Sequence, residues 1–132
     1  SDRLVGSEMC IRDSANTVED SGQQGIQVKE SGGGQTDNND VLKNTVERSG
    51  REGIQVNRGD NNNISLNRVS DNVEDGIMIK NNAQNNSVSL NILDDNGDGI
   101  SSFDLNCDPA ACGTTSPFNN IFTTSNPFGF WN

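Results

Sequence analysis

The sequence predicts an all-β fold, a coil whose short strands pair in parallel with their counterparts in the turns above and below. One observation behind this prediction is a dipeptide that returns at intervals of roughly 23 to 28 residues, a period that is typical of stacked repeats. The other is a strand-like alternation of apolar and polar residues around each copy. The four copies are Gly25-Ile26, Gly53-Ile54, Gly76-Ile77 and Gly99-Ile100.

Apolar residues at equivalent positions of the repeat predict the core. They alternate with polar residues over three to five positions, which is the period of a strand with one buried face. Because neighbouring parallel strands lie about 4.8 Å apart, equivalent side chains should stack along the axis of the coil. The columns expected inside are Ile26, Ile54, Ile77 and Ile100; Val28, Val56 and Ile79; and Val18, Val46, Val69 and Leu93.

Amide and small residues predict the bends between strands. Stacked identical amides can form a hydrogen-bonded ladder along the axis. The glycine of each Gly-Ile pair is expected to adopt a positive φ. Lys43 stands where Leu66 and Leu90 are expected to point inward. Either the first turn shifts its register so that Leu42 packs, or Lys43 lies near an open end. The predicted ladder residues are Asn16, Asn44, Asn67 and Asn91.

These residues resemble the right-handed parallel β-helix repeat of the pectate-lyase-like superfamily. The resemblance covers residues 15 to about 106, with a partial further turn at 119–122. It implies a right-handed solenoid of about four to five coils. Members of this superfamily include polysaccharide lyases, glycoside hydrolases, epimerases, phage tailspikes and adhesins, so the resemblance implies a fold far more narrowly than a reaction.

The first fourteen residues stand outside the repeat. The stretch 4–14 resembles the conceptual translation of a transposase-based sequencing adapter; a native capping segment is the alternative. We therefore expect residues 1–14 to be non-native and residues 15–132 to form one β-helix domain. Loop insertions are expected at about 31–38 and 104–118. On this interpretation the native N-terminal part, with any signal peptide, precedes the sequence and is missing.

The charge and hydrophobic content of the chain limit the classes of partner that it is expected to bind. The chain has a formal net charge of −10, and 30% of its residues are hydrophobic. An acidic surface argues against nucleic acid and against anionic membranes, and no apolar run is long enough to span a bilayer. It suits a cation or a neutral or basic ligand, although acidic surfaces also serve solubility alone. The sequence leaves the oligomeric state open.

Calcium is the one cofactor that the sequence suggests. Asp94, Asn96 and Asp98 stand at alternate positions before a glycine, as in the opening of a calcium-binding loop. Leu105 occupies the position at which such a loop carries a glutamate. The repeat also explains these residues without calcium, because 71–76 occupies the same turn one rung below.

Two further sets are candidate ligand-binding residues. Glu52, Asp75 and Asp98 form an expected carboxylate column, which either a cation bridges or solvent surrounds. The aromatic C-terminal segment 127–132, together with two earlier phenylalanines, Phe118 and Phe122, predicts a cap over the open end of the coil. A sugar-stacking platform that includes Trp131 is the alternative for this segment.

Cysteine and histidine content bears on chemistry and location. Cys107 and Cys112 could close a small disulfide loop, which would indicate an oxidising compartment; free thiols are the alternative. Two sulfurs without any histidine argue against zinc, and the lack of histidine excludes histidine-based catalysis. The catalytic residues are therefore unknown, and the sequence leaves open whether the chain is an enzyme. If it is one, we expect a polysaccharide lyase or a glycoside hydrolase.

The predicted function is that of a secreted or cell-surface bacterial β-helix module that binds or acts on polysaccharide. This prediction combines the repeat, the acidic polar exterior and the cysteine pair. The alternative is a structural stalk, adhesin or surface-layer module without enzymatic activity. A groove in which carboxylates and a basic residue converge would favour the enzyme, and a plain, regular exterior would favour the stalk.

Overall fold

The molecule is a solenoid of parallel strands. A computed structural model describes residues 4–6, 12–29 and 37–125, which contain fourteen short strands and one helical turn. Every strand pairing is parallel, and consecutive strands join three different sheets. Four complete turns of three strands are followed by two strands of a fifth turn. The prediction of an all-β parallel coil is confirmed.

The three sheets form the sides of the coil. Sheet A contains β1 (Leu4–Gly6), β4 (Ile26–Lys29), β7 (Ile54–Asn57), β10 (Ile77–Lys80) and β13 (Leu105–Cys107). Sheet B contains β2 (Arg12–Ser14), β5 (Asp40–Leu42), β8 (Asn63–Ser65), β11 (Ser87–Ser89) and β14 (Ser116–Phe118). Sheet C contains β3 (Thr17–Glu19), β6 (Thr45–Glu47), β9 (Arg68–Ser70) and β12 (Ile92–Asp94). Helix α1 (Pro109–Cys112) lies between β13 and β14.

The core consists of stacked aliphatic columns, one or two from each sheet. Register pairs Ile26 with Ile54 and Ile54 with Ile77, so identical side chains fill the same place in successive turns. The predicted valine columns of sheets A and C are also buried, which confirms them. Sheet B contributes Val41, Ile64 and Val88. Stacking removes this apolar surface from water, which stabilises a fold at about 25 cal/mol per Å².

The predicted burial of one core residue, Ile100, is wrong. Ile100 is 85% exposed in a loop, and Leu105 pairs with Ile77 in its place. The Gly99-Ile100 pair therefore matches the repeat in sequence but does not occupy the equivalent position in the structure. The connection from β12 to β13 is longer than the equivalent connections β3–β4, β6–β7 and β9–β10, and the extra residues form the loop that carries Ile100. Segment 104–118, which the sequence analysis expected to be a loop insertion, instead supplies β13, α1 and β14.

Positive φ angles occur at the corners, but of the four glycines that the sequence predicted to adopt one only Gly99 does, with φ 73°. Gly53 has an ordinary φ, whereas Leu66 and Leu90 have φ of 61° and 57° at the corner between sheets B and C. At this corner the side chain points outward, and both leucines are nearly half exposed. Lys43 adopts the same conformation with φ 57°, so it is an ordinary corner residue rather than a misfit. The predicted inward packing of these leucines is wrong.

Asparagine ladders line the corners, as predicted. In the first ladder the backbone N and Nδ2 of Asn44 both donate to Oδ1 of Asn67, at 2.9 and 3.1 Å. The predicted members Asn16 and Asn91 continue the same pattern, and Asn120 extends it by one turn. A corner residue with positive φ directly precedes each asparagine of this ladder.

Two more ladders, which the sequence analysis did not predict, run along the other corners. One contains Asn39, Asn62 and Asn86. The other runs from Ser49 through Asn72 and Asn96 to Asp104. These amides are nearly inaccessible to solvent, and their hydrogen bonds satisfy the backbone N–H groups that the bends would otherwise bury without a partner.

Both ends of the chain bear on earlier expectations. Strands β1 and β2 of the suspected adapter segment pair with β4 and β5, so these strands belong to the solenoid. The non-native origin of residues 1–14 stays a prediction. The C-terminal segment of the predicted cap, 127–132, lies outside the described residues. Of its other members, Phe122 packs against the core, whereas Phe118 is 58% exposed. The predicted insertion at 31–38 lies mostly outside the described residues as well.

Candidate functional site

Glu52 and Asp75 lie on neighbouring turns at the outer side of sheet A. Glu52 accepts hydrogen bonds from Nε2 of Gln55 at 2.7 Å and of Gln24 at 3.3 Å. The ammonium of Lys80 and the guanidinium of Arg51 each approach this carboxylate to 3.8 Å. Glu52 is only 2% exposed. The carboxylate is therefore neutralised and enclosed, and a role in binding a ligand stays a prediction that this burial does not favour.

The predicted carboxylate column ends after two members. The Asp75 carboxylate accepts from the backbone N of Phe103 at 2.7 Å and from Nδ2 of Asn106 at 2.9 Å. Phe103, not Asp98, occupies the next turn, because its carbonyl accepts from the N–H of Gly76. Burial raises the pKa of Asp75 to about 6, and the nearby Glu52 carboxylate adds to this shift.

This raised pKa predicts a pH-dependent stability. A folded-state pKa of about 6, above the usual 3.8, means that stability is lost as the pH rises from about 4 through 6. Asp75→Asn keeps the acceptor oxygen and cannot ionise. We expect the variant to gain up to about 3 kcal/mol over the wild type at pH 7 and almost nothing at pH 4. Urea unfolding at both pH values measures this difference.

Asp71→Asn, at an exposed carboxylate, is the control and should follow the wild type across the same range. A difference between Asp75→Asn and the wild type that does not change between pH 4 and pH 7 would contradict the assignment of a raised pKa to this carboxyl.

The residues of the predicted calcium loop are not gathered around one point. Asn96 is buried in a ladder, where its Oδ1 accepts from Asn72 and its Nδ2 donates to Asp104. Asp98 accepts from the backbone N of three residues of its own loop, 100–102, and these bonds hold its pKa well below the usual value. Asp94 is exposed on β12. Within the described ranges no three acidic or sulfur side chains form a metal-binding group. Calcium binding stays a prediction without geometric support.

The remaining predicted residues lie near the C-terminal end. Cys107 and Cys112 are joined by a disulfide across α1, with their Cα atoms 5.2 Å apart. Asp108 caps this helix by accepting from the N–H of Ala111 at 2.9 Å. The disulfide ties α1 to the last strand of sheet A. Trp131 lies outside the described residues.

An open groove of about 400 Å³ lies on the outer side of sheet C, and no single motif had indicated it. Its apolar part is formed by Ile92 and Ile121 on neighbouring turns, where Ile92 is 46% and Ile121 64% exposed. Ile121 forms a parallel bridge with Ile92, so the two side chains belong to one column. Such exposed apolar area beside a concave surface is a common mark of a binding site.

Charged side chains border this groove. Glu47 and Asp94 stand on strands of sheet C, and Asp71 and Asp95 stand at the following corner. Arg68 is the basic lining residue, and among the described residues it forms no ion pair within 4.0 Å. The sequence carried a signal for this groove: in the outward column of sheet C, isoleucine at 92 and 121 replaces the polar residues of the earlier turns.

The geometry defines a parallel β-solenoid with asparagine ladders. The chain belongs to the right-handed β-helix family, since the family model for a right handed beta helix region matches residues 4–132. This match confirms the handedness that the sequence resemblance implied. No curated protein and no solved structure shows a significant match to the chain.

The structure also bears on membrane association. In the portion of the chain that the structure describes, no helix has the length and apolar character needed to cross a lipid bilayer.

Proposed function

We propose that this β-helix is a polysaccharide-binding module and that the groove on sheet C is its binding site. The observation that carries the proposal is the groove itself, in which an exposed apolar column lies between carboxylates. Sugar rings present apolar C–H faces and a periphery of hydroxyls, so they need both kinds of surface. Apolar side chains contact the ring face, and carboxylates accept hydrogen bonds from the hydroxyls.

The backbone of sheet C favours a ligand that binds through side chains. Its N–H and C=O groups point along the axis and pair between turns, as between β9 and β12. A peptide strand therefore cannot extend this sheet across its outer face, because strand addition needs unpaired backbone groups. A glycan has no such requirement.

The repeat also favours a polymer. Equivalent positions of sheet C recur about every 4.8 Å along the axis, so a chain lying along the groove meets similar side chains turn after turn. Ile92 and Ile121 are such equivalents, joined by a parallel bridge between neighbouring turns. Many weak contacts then act together, which raises the affinity above that of a single sugar unit.

We also propose that the protein is secreted or exposed at the cell surface. The disulfide between Cys107 and Cys112 supports this location, because such bonds persist in oxidising compartments. We assign no catalytic residues. The two buried carboxylates of sheet A are enclosed, and the groove acids are not paired with a histidine, which the chain lacks.

The binding proposal is tested at the apolar column. Ile92→Thr keeps a β-branched side chain in β12 and removes apolar contact area. We expect it to weaken glycan binding about tenfold, the effect of roughly 1.4 kcal/mol of lost apolar contact. Glycan-array screening identifies a ligand, and affinity electrophoresis in gels that contain it measures the change.

Val73→Thr is the matched control, because Val73 is a 68% exposed aliphatic residue outside the groove. It should bind like the wild type, and circular dichroism should show both variants folded. Equal affinities for Ile92→Thr and Val73→Thr would contradict the assignment of the site.

A structural stalk is the second candidate function. The enclosed outer layer of sheet A favours it, since Gln55 and Glu52 bond to each other rather than face solvent. A protein that binds no glycan on the array and retains a stable, elongated fold would leave the stalk as the better description.

A further inference from the structure

We propose that the groove on sheet C selects polysaccharides that carry ammonium groups, such as a deacetylated amino-sugar polymer. This inference rests on the proposed function and names the class of glycan. It starts from the groove with its exposed apolar column, to which the distribution of charge adds selectivity.

The charge of the groove differs from that of the same face two turns earlier. There, Arg48 donates to the carboxylate of Asp20 at 2.8 Å and to that of Glu47 at 2.9 Å, and it lies 3.6 Å from Glu19. Its hydrogen bond lowers the pKa of Asp20. One guanidinium thus forms ion pairs with three carboxylates at that end of sheet C.

The corner column changes its charge on reaching the groove. Arg48 is followed one turn later by Asp71 and two turns later by Asp95, and all three residues adopt the same positive-φ conformation, between 53° and 56°. Among the described residues, neither aspartate forms an ion pair within 4.0 Å, and neither does Asp94 on the adjoining strand. The groove therefore presents three exposed carboxylates that the protein itself does not compensate.

Arg68 does not cancel this excess. It is a single cation against the three carboxylates, in a chain of net charge −10, while Glu47, the other acidic lining residue, is paired with Arg48. Uncompensated carboxylates attract cationic groups and repel the carboxylates of a uronate polymer. An ammonium group on the sugar ring can donate up to three hydrogen bonds to such oxygens while the ring face contacts Ile92 and Ile121.

A second cavity continues the acidic surface. It has a volume of about 160 Å³ and shares Asp95 and Thr123 with the groove. The Asp98 carboxylate lines it at the far side, held in place by its own loop. The acidic surface thus extends from Asp95 along the loop that follows β12.

The experiment compares three polymers by affinity electrophoresis and by isothermal titration at low and high salt: a deacetylated amino-sugar polymer, its fully acetylated form and a polyuronate. We expect binding of the deacetylated polymer at least tenfold tighter than of the acetylated form, weakening as salt rises, and no binding of the polyuronate. The double variant Asp94→Asn/Asp95→Asn should lose at least tenfold of the affinity for the deacetylated polymer.

Glu19→Gln/Glu74→Gln is the charge-matched control, because it removes two carboxylates that lie outside the groove. It should remain within about twofold of the wild type. An equal loss in this control would show attraction by net charge alone and would overturn the proposal. Equal binding of the acetylated and deacetylated polymers, still sensitive to Ile92→Thr, would overturn the selectivity and leave the proposed function standing. Binding of a basic peptide without any glycan would overturn both.

Discussion

Replacing Asn67 with alanine is expected to destabilise the protein by about 3–5 kcal/mol or to prevent folding. Asn67 is 1% exposed, and its amide accepts from the backbone N of Asn44 and donates to the carbonyl of Val41 and to Oδ1 of Asn91. The truncation removes the partner of the buried Asn44 N–H and of the Val41 carbonyl, whereas Oδ1 of Asn91 still accepts from the backbone N of residue 67. Each buried group that loses its partner costs about 1–3 kcal/mol. Urea-induced unfolding followed by circular dichroism measures the loss.

Asn63→Ala is the control for this prediction. Asn63 lies in the same turn, is half-buried and makes one longer bond of 3.3 Å to Asp40. We expect a loss below about 1 kcal/mol, which is the usual scale for one partly exposed hydrogen bond. Similar losses for the two variants would show that the ladder contributes no more than an ordinary surface amide.

Gly53→Ala is expected to destabilise the protein by at least about 3 kcal/mol. The φ of Gly53 suits any residue, but a Cβ there would lie 2.5 Å from Cγ1 of Val69 and 2.8 Å from the carbonyl oxygen of Gly76. Val69 is a fully buried core residue of β9, and Gly76 is backbone of the next turn directly before β10, so relief requires the turns to move apart. Thermal and urea unfolding should both show the loss.

Gly22→Ala provides the comparison, because no atom lies within 4 Å of the Cβ that it would introduce. This variant should match the wild type or gain a few tenths of a kcal/mol from the reduced freedom of the unfolded chain. A Gly53→Ala protein as stable as Gly22→Ala would show that the turns can separate more readily than the packing indicates.

The sequence predicted the core well where two signals agreed. Val46 and Val69 repeat at a fixed period and also alternate with polar neighbours, and the structure stacks them. Ile100 repeats as well, but the alternation that follows it is lost. The alternation reappears at Leu105 and Cys107, which are the residues that enter sheet A. Period alone was insufficient, because an inserted loop can carry a chance copy of the dipeptide.

The role of glycine was misread for a physical reason. A recurrent glycine is compatible either with a positive φ or with close packing, and the sequence does not distinguish the two. Gly76 is needed for packing, since a Cβ there would lie 2.5 Å from the carbonyl oxygen of Asp104. The positive φ angles fall on corner residues such as Lys43 and Leu66, which share no chemistry. The bend was marked by the residue that follows the corner, which is asparagine in most turns and serine at 21 and 49.

The site was harder to predict than the fold. Glu52 and Asp75 were correctly placed on one column, yet their burial follows from packing on the outer side of sheet A, which the repeat does not reveal. The groove depends on which outward residues become adjacent across three turns. Ile92, Ile121 and Asp95 come together only through the stacking register, and no local motif joins them.

The side-chain amides of the ladders all point the same way. In each, the amide oxygen faces the preceding turn and one N–H of the amide donates to the next turn toward the C-terminus, so the dipoles add along the axis with their positive end at the C-terminal side. In one ladder this end meets Asp104, whose carboxylate accepts both the backbone N and Nδ2 of Asn96. A negative charge belongs at that end for the reason that anions favour the N-terminus of an α-helix. A lengthened solenoid would need its terminal carboxylate moved to the new last turn.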